Sequence, residues 1–86
     1  MIEIIYAPIF IKRLNKMEPS FHGEILEKIE LFKDIKNHKT LKVHKLHGKF
    51  SDCFSFSVDY STRIVFQYMT KKSVAFLFIG DHDLYK

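Results

Sequence analysis

Eighty-six residues, 47% hydrophobic and 15% aromatic, suffice for one domain with a core (residues 1–86) and exclude a disordered basic tail. Fourteen lysines and arginines against ten acids leave a net charge of +4, which favours polyanionic partners, and three glycines leave no phosphate cradle. A lone cysteine, Cys53, excludes an internal disulfide and suits a reducing cytosol, and no apolar run approaches the length of a membrane span.

The N-terminus MIEIIYAPIFIK carries an acid at position 3 and no basic leader, so no secretion signal is expected and the cytoplasm is the expected location. Ile2 to Tyr6 is short, apolar and partly β-branched, which predicts a strand. Pro8 then fits the first turn of a helix, where its missing N–H costs nothing. Ile9, Phe10, Leu14 and Met17 recur near the helical period until Pro19 breaks the segment. Ser20 is the expected N-cap of a second helix. Phe21, Ile25, Ile29 and Phe32, joined by Leu26 and Ile35, form its apolar face, while Glu24, Glu27, Lys28, Glu30, Lys33 and Lys36 solvate the remainder. The helical hairpin is expected to end near Asn37, a residue that tolerates the left-handed conformation common at helix ends.

Lys33 to Lys49, KDIKNHKTLKVHKLHGK, holds the whole net positive charge. Six lysines stand there against Asp34 alone, giving +5 before His38, His44 and His47 are counted, while the other eight basic and nine acidic residues sum to −1. A concentrated field of this sign attracts polyanions, and phosphate contacts are the usual source of nucleic-acid affinity. After this segment the period changes to two. Phe54, Phe56 and Val58 alternate with Ser55, Ser57 and Asp59, predicting a half-buried strand with one polar face. Arg63 to Met69 and Val74 to Ile79 are two further strands joined by a Thr70–Ser73 turn, the last apolar on both sides and therefore central or helix-covered. The tail GDHDLYK shows no period. The fold class is α+β: an N-terminal strand, a helical hairpin and a three-stranded antiparallel meander.

Chemistry concentrates in three places. In V-H-K-L-H-G-K, His44 and His47 stand among lysines, as imidazoles able to move a proton beside phosphate-binding groups or as part of a solvated basic loop. His82 lies between Asp81 and Asp83, carboxylates that favour its charged form. Two histidines and a cation are the parts of a metal-free ribonuclease: a base for the 2′-OH, an acid for the leaving 5′-oxygen and a positive charge for the phosphorane. Arg63 is the expected cation; its bland alternative is an ion pair with Asp59. H-x-x-H without a cysteine pair is a weak zinc signal, so no metal and no cofactor is expected. Cys53 lacks any nucleophile signature and reads as a small sheet residue.

The order of elements, with L-K-V-H-K-L-H-G-K-F (41–50), S-F-S-V-D-Y-x-x-R-I-V-F (55–66) and the terminal I-G-D-H-D-L-Y (79–85), resembles the RelE/ParE toxin superfamily of toxin–antitoxin modules. The resemblance implies a small sheet on a helical hairpin and a basic cleft. It also implies a toxin that cuts mRNA on the ribosome by 2′-OH attack. His44 and His82 match the histidines of a YafQ-like branch, Arg63 the strand arginine and Tyr85 a tail aromatic, which makes His44, His82, Arg63 and Tyr85 the expected catalytic set. Lys42, Lys45, His47 and Lys49 are the expected RNA-binding set. Where YafQ-like proteins carry a further histidine and an acid on strand two, this chain has Ser57 and Asp59 or Ser61. The implied partners are a small acidic antitoxin, folding across the basic cleft, and mRNA on the ribosome, with no membrane. ParE-like relatives share the fold but poison DNA gyrase, and an inert binding module is the third reading.

Overall fold

The computed structural model describes residues 1–81. The expected catalytic residues His82 and Tyr85 lie outside the described residues. β1 (Glu3–Tyr6) leads through Ala7 into α1 (Pro8–Asn15), with Pro8 in the first turn as its missing N–H requires. The second helix, α2 (Pro19–Phe32), begins one residue before the expected Ser20 cap. Pro19 starts this helix: Glu18 occupies the cap position without a side-chain capping bond, and the fixed φ of proline suits the first helical position.

The helix ends at Phe32, short of Asn37, and a 3₁₀ turn follows at Ile35–Asn37. His38 explains the stop. Its Nε2–H donates to the Phe32 carbonyl at 2.7 Å, and its ring stacks on that of Phe32 with centroids 4.5 Å apart. Asn37 donates its side-chain amide to the Leu31 carbonyl, so two groups satisfy the last carbonyls of α2. The left-handed conformation falls later, at Lys42 with φ 60°.

β2 (His44–Lys45), β3 (Phe54–Ser57), β4 (Thr62–Thr70) and β5 (Ser73–Asp81) complete one sheet of order β1-β5-β4-β3-β2. β1 runs parallel to β5, and the other pairs are antiparallel. β5 is thus internal to the sheet, as its unbroken apolar run predicts. The two-residue β2 is an addition to the expected meander, held where His44 pairs with Ser55 and Lys45 with Phe54.

One side of this sheet carries the core. Phe56, Ile64, Phe66, Val74 and Phe76 pack against Phe10 of α1 and Ile25, Ile29 and Phe32 of α2. Phe32 is the hub, with ring centroids 4.6 Å from Phe56, 4.9 Å from Phe66 and 5.4 Å from Phe76. Two members of the expected α2 face are absent from it. Leu26 is 55% exposed and Ile35 70% exposed, because the sheet meets a stripe narrower than the apolar pattern and Ile35 lies beyond the helix end. The helices are tied down by polar contacts as well: His22 Nε2–H donates to the Leu14 carbonyl at 2.9 Å, and Arg13 Nε donates to the Ile79 carbonyl at 3.0 Å. No helix among the described residues is long and apolar enough to cross a membrane.

Candidate nucleic-acid interface

Side chains alternate across a strand, so the residues between the core positions project from the sheet side that the helices leave open. On β3 these are Ser55 and Ser57, and on β4 Arg63, Val65 and Gln67. The register fixes their neighbours: His44, Ser55, Val65 and Phe78 form one cross-strand row, and Ser57, Arg63 and Gly80 form the next. His44 and Arg63 are therefore two strands and one row apart, about 12 Å between backbones at ordinary sheet spacing. Residues 19 positions apart in the chain are brought to one surface.

His44 is exposed, and its ring is held from one end. Nδ1 lies 2.9 Å from the Lys42 carbonyl, so Nδ1 carries the proton of the neutral ring and donates it. Nε2 is then the basic nitrogen. It faces Ser55 Oγ across a long 3.5 Å contact. The backbone supplies the means: Lys42 adopts the left-handed region, an uncommon conformation for a side chain of its size, and its carbonyl meets the imidazole two residues on. Ser55 itself is fully buried, so the polar side of β3 is less solvated than its alternation predicts.

Arg63 is half-buried and makes no ion pair among the described residues. Its Nη1 donates to three backbone carbonyls of the β3–β4 connection, those of Asp59 at 2.8 Å, Tyr60 at 3.0 Å and Thr62 at 3.3 Å. The Asp59 carboxylate is engaged elsewhere: its Oδ1 accepts from the backbone N–H groups of Ser61 at 3.0 Å and Thr62 at 2.8 Å. Burial raises the pKa of this carboxyl, but those N–H groups and the Ser61 and Thr62 hydroxyls outweigh it and leave the pKa below the ordinary carboxylate value. Asp59 shapes the turn, and the turn's carbonyls hold the guanidinium without neutralising it.

Lys42, Lys45, His47 and Lys49 are all exposed. Lys45 pairs with Phe54 and projects from the opposite side of β2 to His44. Lys49 lies in the short turn Gly48–Phe50, its Nζ 5.7 Å from the Phe50 ring centre, and Gly48 takes φ 70° there, where a side chain would be strained. Burial, with the Asp52 charge added, pushes the Cys53 thiol up, so it is a poorer thiolate than a free cysteine. Tyr60 is 93% exposed on the turn that cradles Arg63. Tyr60 was not among the expected site residues: it continues the period-two spacing of Phe56 and Val58, and that spacing gives no sign that the strand stops at Ser57 and leaves the ring in solvent.

Solved structures share this architecture. A chain of the RelBE2 toxin–antitoxin complex from Mycobacterium tuberculosis matches with a TM-score of 0.74 at 15% identity, over 94% of this chain and 98% of that one. A chain of the Escherichia coli DinJ–YafQ toxin–antitoxin complex matches with a TM-score of 0.74 at 18% identity, over 99% and 98%. The YoeB/ParE toxin from Agrobacterium tumefaciens gives 0.67 at 14%, over 94% and 99%. The chain has the RelE-like toxin fold. No protein-family model matches the sequence, and no curated protein does.

Within this RelE-like fold the sequence-expected residues divide into three groups. His44 and Arg63 share the open side of the sheet in adjacent rows. Lys42, two residues before His44, orients it through its carbonyl, whereas Lys45 points away and His47 and Lys49 follow in the loop. His82 and Tyr85 lie outside the described residues; β5 ends with Gly80 and Asp81, which pair with Arg63 and Thr62.

Proposed function

We propose that this chain is the toxin of a toxin–antitoxin pair and a ribosome-dependent mRNA endonuclease that cuts by 2′-OH attack. The observation that carries the reading is an oriented, exposed imidazole and an arginine whose acceptors among the described residues are all neutral carbonyls, on one side of a RelE-like sheet. His44 Nε2 takes the proton of the 2′-OH. The 2′-oxygen attacks phosphorus, and the P–O5′ bond breaks to leave a 2′,3′-cyclic phosphate. The leaving 5′-oxygen takes a proton from an acid, a part assigned to His82. Roles of His44 and His82 are exchangeable in principle, and the Nδ1–H bond of His44 favours it as base.

Arg63 meets the charge that develops on the phosphorane. A phosphate attracts a guanidinium more strongly than neutral carbonyls do, so the turn can release Arg63 to substrate without breaking an ion pair. Lys42, Lys45, His47 and Lys49 supply the field that draws RNA, and Tyr60 and Tyr85 offer rings for bases to stack on. The partner of this reading is a small acidic antitoxin; the structural neighbours include chains solved in toxin–antitoxin complexes.

Primer-extension mapping of mRNA on purified ribosomes tests the reading. New 5′ ends in the presence of the protein are expected. Their absence overturns the ribonuclease, and gyrase-dependent DNA breaks in its place would assign the fold to a topoisomerase poison.

A further inference from the structure

A second surface of the molecule is more basic than its surroundings and is not explained by folding. It lies where the end of α2, the start of β1 and the β4–β5 turn meet. A cleft of about 450 Å³ there has Ile2 and Ile35 among its apolar lining and Lys33, Lys36, Lys71 and Lys72 around it. A neighbouring hollow of about 410 Å³ continues from Ile2 and Ile35 to Tyr68 and Thr70. Ile35 is 70% exposed, although the helical pattern assigns it to the core face.

The charges are available. Lys33 is paired with Glu30 at 2.6 Å, whereas Lys36, Lys71 and Lys72 make no ion pair among the described residues. Asp34 is the one acid in the lining against four lysines, and its Oδ1 accepts from the Lys36 N–H at 3.0 Å. The cleft is also remote from the proposed catalytic surface. Tyr68 continues the helix-covered side of β4, and Thr70 is five residues along that strand from the row of His44, about 17 Å at ordinary strand rise.

We infer that this cleft docks an acidic, amphipathic segment of a partner protein, whose apolar residues cover Ile35 and whose carboxylates meet Lys36, Lys71 and Lys72. RNA phosphates would satisfy the lysines and leave Ile35 in water; an amphipathic acidic peptide satisfies both. The source of the segment, the antitoxin, rests on the toxin–antitoxin reading above. Docking here leaves the His44–Arg63 surface uncovered, so one partner can grip the fold away from the surface it silences.

The test is titration of the ¹⁵N-labelled protein, followed by amide shifts, with three probes: a synthetic peptide alternating leucine and glutamate, the same peptide with serine for leucine, and an oligouridylate. The first peptide is expected to move the amides of Ile35, Lys36, Lys71 and Lys72. Ile35→Ser is expected to weaken it about tenfold, as loss of a buried aliphatic side chain implies. A Lys71→Glu, Lys72→Glu double variant is expected to weaken it by at least about as much at low salt. Both changes are at exposed positions, and unchanged dispersion of the remaining amides verifies the fold. Equal binding of the serine peptide, tighter binding of oligouridylate to these amides, or shifts confined to the His44 side each overturn the inference. Ribosomal cleavage by the wild-type protein separates the two proposals: cleavage with no peptide docking overturns the docking site alone, and docking with no cleavage overturns the ribonuclease alone.

Discussion

The two sides of the five-stranded sheet follow different rules. On the helix side, Phe10, Phe32, Phe56, Phe66 and Phe76 are wholly buried and in ring contact, so position and stability are the same property there. On the open side, His44 and Arg63 are held by bonds to backbone carbonyls and lie outside the buried cluster, so their replacement should disturb the fold less. The first side makes a platform from ring packing. The second uses the platform's register to bring polar groups from β2, β3 and β4 into neighbouring rows.

Substitutions that break this contrast begin with its hub. Phe32→Ala removes a ring that touches three phenylalanines and a histidine, and urea denaturation is expected to show a loss of about 4 kcal/mol. On the other side, His44→Ala is expected to leave the denaturation midpoint unchanged and to lower ribosomal cleavage roughly a hundred- to ten-thousandfold, the range of a lost general base. Arg63→Lys should recover little of what Arg63→Ala loses, because an ammonium cannot present the guanidinium fork. A large stability loss in His44→Ala would collapse the distinction between the two sides.

Smaller effects sharpen it. Asp59→Asn weakens the turn beneath Arg63 and is expected to cost about 1 kcal/mol at neutral pH. The sign of its pH dependence follows from the lowered carboxyl pKa. The stabilisation is present above the ordinary carboxylate range and is lost as pH falls through the depressed folded-state value, so wild type and variant should converge in acid. Leu26→Ser, at a site the helical pattern counts as core, is expected to change stability by no more than about 0.5 kcal/mol.

The helices, the internal place of β5 and the burial of Ile25, Ile29 and Phe32 were legible because 3.6- and 2-residue periods report directly on which side meets a core. Leu26 and Ile35 were misread because a period gives the direction of a face and not its width or where the helix stops. β2 was not legible as a strand, since two residues carry no period. His44 and Arg63 could be chosen by chemistry, and their adjacency is set by register, which single-chain patterns do not encode. The orientation of His44 was hidden further still. It depends on a left-handed backbone at a lysine, where nothing in the residue type announces it.

The parallel pairing of β1 with β5 joins Glu3 to Ser73 and Tyr6 to Phe76, the first strand made to the last. Non-local closure of this kind is slow, and on a translating ribosome it cannot begin before β5 leaves the exit tunnel. Until then β4 lacks a neighbour on one side, and the Ser57–Arg63 pair is without its third member, Gly80. On the reading proposed above, the β2–β3–β4 surface that carries His44 and Arg63 is thus left without the support of its inner neighbour until β5 has emerged.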